Sequence, residues 1–409
     1  REVVVSGTDV RFKEGDWITI DGFTGQVFLG RIPTVEPELP NEFFELLSWA
    51  DEFSKLGVRA NADTPEDAKT ARKYGAQGIG LLRTERMFRG PERLEVFREV
   101  ILADNPEDRK RGLDKLVPLM KQDFLEIFEV MEGLPVIVRL FDPPLHEFLP
   151  SIEELIQEVT EARIKGDKAK LEEKERLLKK LMVLREANPM MGHRGVRVGI
   201  TYPEIYAAQV RAILEAAAEL IKKGRKIEVE VMIPQVCDAR ELRYIREKVV
   251  EPVAKEVEQK EGVKVPYKYG TMIEVVRACL TADEIAKEAE FFSFGTNDLT
   301  QGTFTFSRDD VENKFMARYL ELKILDFDPF QTLDEKGVGK LMEMAVKMAR
   351  SVRKDIEIGI CGEHGGDPRS IEICHRIGLD YVSASPYRIP VARLVAAHAA
   401  LKEKHSIGK

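Results

Sequence analysis

Short apolar runs recur along this chain, each stopped by glycine, proline or an acidic residue. Between them lie stretches whose apolar positions fall at helical spacing. The apolar runs are 58–62, 78–85, 134–140, 227–234, 269–275, 291–294, 356–361 and 381–385. Helical patterns separate them, among them 202–223, 281–290 and 337–352. One helix start is marked by Thr64 as cap and Pro65 at the first helical position. Strands this short, apolar throughout and alternating with helices, predict an α/β chain folded as a (β/α)8 TIM barrel. A doubly wound sheet is the alternative.

The flanks of this rhythm are different. Runs at 3–5, 17–20 and 25–29, with glycine-rich turns, predict short strands. Roughly thirty residues of hairpin cannot hold a core alone, so 1–30 reads as the β-rich tail of a domain whose body lies upstream. A chain that opens on Arg1 rather than Met agrees with that. Residues 31–40 are punctuated by prolines and read as a stiff linker. Asn41 is placed to cap a helix over 42–56, and the barrel is expected over 41–409. Near 150–187 the chain is densely charged, with Leu155, Leu171, Leu177, Leu178 and Leu181 at helical spacing and a break at Gly166-Asp167. This predicts a helical hairpin inserted after the third strand, either a solvated arm or a contact for a second copy or domain.

Composition narrows the function class. The formal charge of -8 leaves no electrostatic footprint for nucleic acid, and no apolar run is long enough for a membrane span. The four cysteines show no metal or disulfide spacing, which predicts a reducing, cytoplasmic setting. Gly75, Gly78 and Gly80 enter a strand rather than leave one for a helix, so they are not a dinucleotide fingerprint.

The candidate chemistry sits where the strands stop. Arg83 lies at the end of the second strand and Arg139 near the end of the third, and Glu274 ends the fifth. Gly295, Thr296, Asn297 and Asp298 follow the sixth, and Cys361 ends the seventh. In a barrel every strand C-terminus opens on one face, so these residues should converge. Two carboxylates from neighbouring strands, Glu274 and Asp298, suit Mg2+ completed by water and substrate. Two guanidinium forks match phosphate or carboxylate. Asn297 and nearby amides would hold another oxygen, and Arg308 on the following loop would add a fork. The competing readings are ion pairs of the arginines with Glu85 or Glu274, and a surface position for Arg308. Arg194, in a glycine-flanked turn, suits either a site or a structural role. Cys361, beside Glu363 and His364, is a candidate nucleophile or proton donor. Cys237, Cys279 and Cys374 read as structural.

Several segments then add up to a resemblance. Gly78-Ile79-Gly80-Leu81-Leu82-Arg83-Thr84-Glu85-Arg86-Met87-Phe88, Asp142-Pro143-Pro144-Leu145-His146-Glu147-Phe148 and Asn188-Pro189-Met190-Met191-Gly192-His193-Arg194-Gly195 resemble the pyruvate, phosphate dikinase family. So do Gly270-Thr271-Met272-Ile273-Glu274, 293–301 and Cys361-Gly362-Glu363-His364-Gly365-Gly366. The resemblance implies a phosphotransferase barrel that binds phosphoenolpyruvate or pyruvate and works with a swivelling phosphohistidine domain, as a homodimer. It implies that Arg83 and Arg139 bind the moving phosphoryl group and that Glu274 and Asp298 hold Mg2+. Gly295, Thr296, Asn297 and Asp298 would line the substrate, and Cys361 would protonate the methylene carbon of the enolate or take the proton back. None of the six histidines lies in the family's Thr-Ser-His context, and no nucleotide-binding segment is seen. The expectation is therefore one half-reaction, with 1–30 the end of the swivelling domain. Phosphoenolpyruvate synthase and enzyme I of the sugar phosphotransferase system share the Gly-Thr-Asn-Asp-Leu-Thr-Gln stretch and are alternatives. So are a Mg2+-enolate lyase and a non-enzymatic ligand-sensing dimer.

Overall fold

The computed structural model describes residues 2–22, 24–34 and 39–407. Part of the expected linker, 35–38, lies outside the described residues. The chain divides into two compact units, Arg1–Ser48 and Trp49–Lys409. The first holds two antiparallel hairpins, β1 (Glu2–Val4) with β2 (Arg11–Lys13) and β3 (Ile18–Asp21) with β4 (Gln26–Leu29). β2 was not anticipated, because Arg11-Phe12-Lys13 has no apolar run and is drawn into a strand only by its partner. A helix spans Asn41–Phe53, so Asn41 is its first residue rather than a cap ahead of it, and it ends short of the expected boundary.

The second unit is a closed barrel of eight parallel strands. They are β5 (Gly57–Asn61), β6 (Ile79–Arg83), β7 (Pro135–Arg139), β8 (Glu228–Ile233), β9 (Tyr267–Ile273), β10 (Phe291–Phe294), β11 (Glu357–Ile360) and β12 (Tyr381–Ala384). Each pairs with the next in sequence, and β12 pairs back onto β5, which rules out the doubly wound alternative. Strands covered by helices outside and side chains inside have no wet face, so they read as largely apolar runs, with charged residues such as Arg59, Glu230, Lys268 and Glu357 confined toward one end of the barrel. The caps follow local chemistry. Thr64 accepts from the N–H of Asp67 at 3.1 Å at the head of Pro65–Lys73.

Three local expectations need correcting. The second strand stops at Arg83, and Thr84–Phe88 coils into a 3-10 turn. There the Thr84 hydroxyl donates to the Arg139 carbonyl at 3.0 Å, which turns the chain away from the sheet. The helix expected over 281–290 shrinks to Ala282–Ala286. The helix expected from 337 begins with a π turn, Glu335–Gly339, whose amides the Asp334 carboxylate caps, before continuing as Lys340–Val352. Two helices between β6 and β7, Pro91–Leu102 and Pro106–Val130, had no counterpart in the sequence reading.

The charged segment forms a helical hairpin, Ile152–Lys165 and Lys168–Leu184, turned at Gly166 with φ +70°. Leu155 and Leu181 are buried within it, and Lys180 ties it to Asp104 at 2.6 Å. Among the described residues no helix is long and apolar enough to cross a membrane.

One glycine is required by packing. A Cβ at Gly359 on β11 would overlap the Tyr381 ring, which lies across that strand inside the barrel. Gly359→Ala is expected to lower stability by about 1–3 kcal/mol through overpacking, read as a lower urea midpoint.

Candidate active site

At the C-terminal mouth of the barrel is a cleft of about 490 Å³. Arg83, Arg139, Glu274, Gly295, Asn297, Asp298 and Cys361 all line it. Arg83 and Arg139 are the last residues of β6 and β7 and pair in register, which brings both to the mouth of the barrel. Glu274, Gly295 and Cys361 each come immediately after a strand. Gly295 is glycine for a reason of contact, since a Cβ there would stand 2.6 Å from Glu274 Oε2.

Thr296 and Arg308 are placed elsewhere. Thr296 is buried behind the cleft with its hydroxyl 2.7 Å from His364 Nδ1. The Arg308 guanidinium donates to Glu312 at 3.0 Å along its own helix, and Arg308 does not line the cleft.

The arginines are already engaged. Arg139 is buried, with Nη2 2.5 Å from Glu85 Oε1 and Nη1 3.2 Å from Asp142 Oδ2. Arg83 does not meet Glu85 or Glu274. It forks onto Asp63, Nη2 to Oδ2 at 2.7 Å and Nε to Oδ1 at 3.2 Å. Arg194 is brought in from its turn and bridges Asp142 at 2.6 Å and Asp298 at 3.1 Å. Asp63 and Asp142 were both missed. In the sequence Asp142 stood out only within the segment from Asp142 to Phe148, and Asp63 not at all. Both follow strand ends, as Glu274 does, and that shared phase was the available signal.

This is an ionic lattice with gaps. Arg139 Nε, Asp142 Oδ1, Arg194 Nε and Asn297 Oδ1 are buried without hydrogen-bond partners. Such atoms are uncommon in native interiors, and two of them, on Arg139 and Asn297, belong to residues that line the cleft, which suits it to receive a polar ligand. Burial would raise the Asp142 carboxyl, but the Arg139 and Arg194 guanidiniums hold it below its ordinary range. Glu274 goes the other way. Burial, then the charges of Asp142 and Asp298, push its carboxyl well above the usual range.

That last direction is the test of a metal. The Arg194 and Arg139 guanidiniums oppose that shift without cancelling it, so a divalent cation beside this desolvated carboxyl and its carboxylate neighbours would be favoured. Glu274 Oε1 accepts from the Gln235 N–H at 2.7 Å, which orients the group. Among the described residues no set of three or more His, Cys, Asp or Glu is gathered for a metal. Two carboxylates fit a hard cation that keeps water and substrate oxygens as its other ligands.

Cys361 is buried, its Sγ 3.7 Å from the Phe294 carbonyl. Burial pushes its thiol up to about 11, against the Ser293 hydroxyl and Arg139, which favour the thiolate. At neutral pH the group is a protonated thiol, suited to giving a proton rather than to attacking carbon. Alkylation of Cys361 by iodoacetamide is therefore expected to rise about tenfold per pH unit from neutrality and to level off only near pH 11. A plateau at pH 7, followed by peptide mass spectrometry, would show a thiolate instead.

The model of the PEP-utilising enzyme, PEP-binding domain, matches residues 38–401. The pyruvate, phosphate dikinase of Entamoeba histolytica is 57% identical over 390 residues, covering 95% of this chain and 44% of that protein. That of Clostridium symbiosum is 51% identical over 397 residues, covering 96% and 44%. The chloroplastic pyruvate, phosphate dikinase 1 of Arabidopsis thaliana is 50% identical over 392 residues, covering 95% and 40%. This chain thus spans less than half the length of these curated relatives.

Proposed function

Since this chain belongs to the PEP-utilising enzyme family, through its PEP-binding domain, we propose that its cleft carries the phosphoenolpyruvate/pyruvate half-reaction of a pyruvate, phosphate dikinase. The observation that supports this most is the meeting of Arg83, Arg139, Glu274, Asn297, Asp298 and Cys361 around one cavity. In this reading the phosphoryl oxygens take the free donor edges of Arg83 and Arg139, which Asp63, Glu85 and Asp142 hold in orientation. Glu274 and Asp298 would hold Mg2+, which would supply positive charge to developing anionic oxygens of the substrate. Asn297 and the backbone at Gly295 line the substrate oxygens, with Thr296 bracing that turn from behind. Arg308 joins only after leaving Glu312.

The bond from phosphorus to the enol oxygen breaks as phosphorus bonds to a histidine nitrogen on a separate swivelling domain. The Cys361 thiol gives its proton to the methylene carbon, and the thiolate left behind, facing Arg139, is reprotonated from solvent. The reverse direction runs the same steps backward. The hairpins within 1–30 are read as part of that swivelling domain, 31–40 as the linker and the barrel unit as the homodimer-forming part. The four free thiols suit a reducing compartment such as the cytoplasm.

About half of all positions are shared with three proteins called pyruvate, phosphate dikinase, which favours that activity over phosphoenolpyruvate synthase or an enzyme I-type phosphotransferase. A buried thiol beside two guanidinium forks favours it over carbon–carbon cleavage. Calorimetric titration with phosphoenolpyruvate tests the reading. Binding is expected with Mg2+ present and weaker binding after chelation. No heat in either condition would overturn it.

A further inference from the structure

The floor of the barrel, at the end away from the cleft, is charged. Arg59 on β5 donates to Glu230 on β8 at 3.1 Å and to Glu357 on β11. Lys268 on β9 closes the group, 3.0 Å from Glu230 and 3.1 Å from Glu357. Arg59 and Glu230 are buried. A buried ion network is a poor way to add stability, since an apolar layer of equal volume is often as good or better. Its presence under a reaction site asks what it positions.

The register answers. Side chains two apart on a strand share a face, so Glu357, Gly359 and Cys361 form one column up β11. Gly359 has Ser293 of β10 on one side and Tyr381 of β12 on the other. Because Gly359 has no side chain, the Tyr381 ring occupies its place in the middle layer. Cys361 belongs to the layer above and packs in one cluster with Tyr381. Beneath the ring lies the Arg59 guanidinium, 4.1 Å from its centroid. A cation held over the face of a desolvated ring is favourable and directional. The axis thus runs from the ionic floor through Arg59 and Tyr381 to Cys361.

We propose that Arg59 is a positioning residue for the Cys361 thiol, setting its height and orientation through the Tyr381 ring. This rests on the reading of Cys361 as the proton donor. Misplacement of a reacting group by about an ångström can lower a rate on the order of a hundredfold. Arg59 touches nothing in the cleft, so binding should not depend on it.

The test compares wild type, Arg59→Met and Glu357→Gln in three measurements. These are thermal midpoint, phosphoenolpyruvate affinity with Mg2+, and exchange of pyruvate methyl protons with deuterated water. Arg59→Met is expected to bind within about twofold of wild type while exchange falls at least about tenfold. Glu357→Gln removes one arm of the network at a partly exposed residue and should fold even if the first variant does not. Its expected loss is about threefold in exchange. In both, the pH at which Cys361 alkylation levels off should move, which a purely structural role would not cause below the melting temperature. Wild-type exchange in a variant that binds normally overturns the proposal. So does a parallel loss of binding and exchange in both variants, which marks a structural floor. If Cys361→Ala exchanges at the wild-type rate, the proton-donor reading fails instead, and Arg59 is not what was refuted.

Discussion

Cys361→Ala is expected to abolish exchange of pyruvate methyl protons with solvent, while pyruvate and phosphoenolpyruvate still bind. General acid–base groups contribute on the order of a hundredfold to ten-thousandfold, so the residual signal should fall to the buffer rate. The thiol is buried in the apolar cluster with Leu81, Ile137 and Met272, and alanine removes only its sulfur. Folding should survive, because a small cavity costs about 1 kcal/mol. Proton NMR of pyruvate in deuterated water with Mg2+ reads the exchange directly. A mutant that exchanges at the wild-type rate removes Cys361 from the chemistry. The raised thiol pKa gives a companion expectation. Proton removal from pyruvate needs the thiolate, so exchange by wild type should climb with pH between neutrality and about 11.

Arg139→Ala should weaken phosphoenolpyruvate by about a hundredfold or more, since hydrogen bonds to charged groups contribute roughly 1.5–3 kcal/mol each. The same change should leave pyruvate, which has no phosphoryl group, bound within a few-fold. That contrast separates a phosphate contact from general damage. Damage is also expected, because the substitution strips Glu85 of its guanidinium and leaves Asp142 with Arg194 alone. Breaking a buried pair this way costs about 3–5 kcal/mol. Calorimetry with both ligands, below the lowered melting temperature, is the measurement. Equal losses for the two would argue that Arg139 holds the cleft together and does not contact phosphate.

The arginines show how sequence and structure divide the work. Nothing local to Arg83 says that its partner is Asp63, because the two meet only when β5 and β6 lie side by side. The sequence offers Glu85 or Glu274 as an ion-pair partner for either arginine, and the Glu85 pairing is found with Arg139, reached through the 3-10 turn, but not with Arg83. Arg308 shows the opposite error. Ten residues beyond Asp298 it reads as a loop residue, but a helix spans Arg308–Lys314 and offers it Glu312 one turn away.

What the sequence determined by itself was the phase of the strands and the residues at their ends. Both are local properties, a run of apolar side chains and the polar group that stops it, and they survive any arrangement of the rest. Closure into a barrel then had to bring those ends to one mouth. Only the tertiary structure decided which carboxylate holds which guanidinium, which polar atoms stay unpaired, and that burial lifts the thiol above its ordinary range. It also placed a charged floor beneath that thiol. Those outcomes depend on burial and on neighbours from strands far apart in the chain, where the electrostatic energy of a group is set by what surrounds it and not by its place in the sequence.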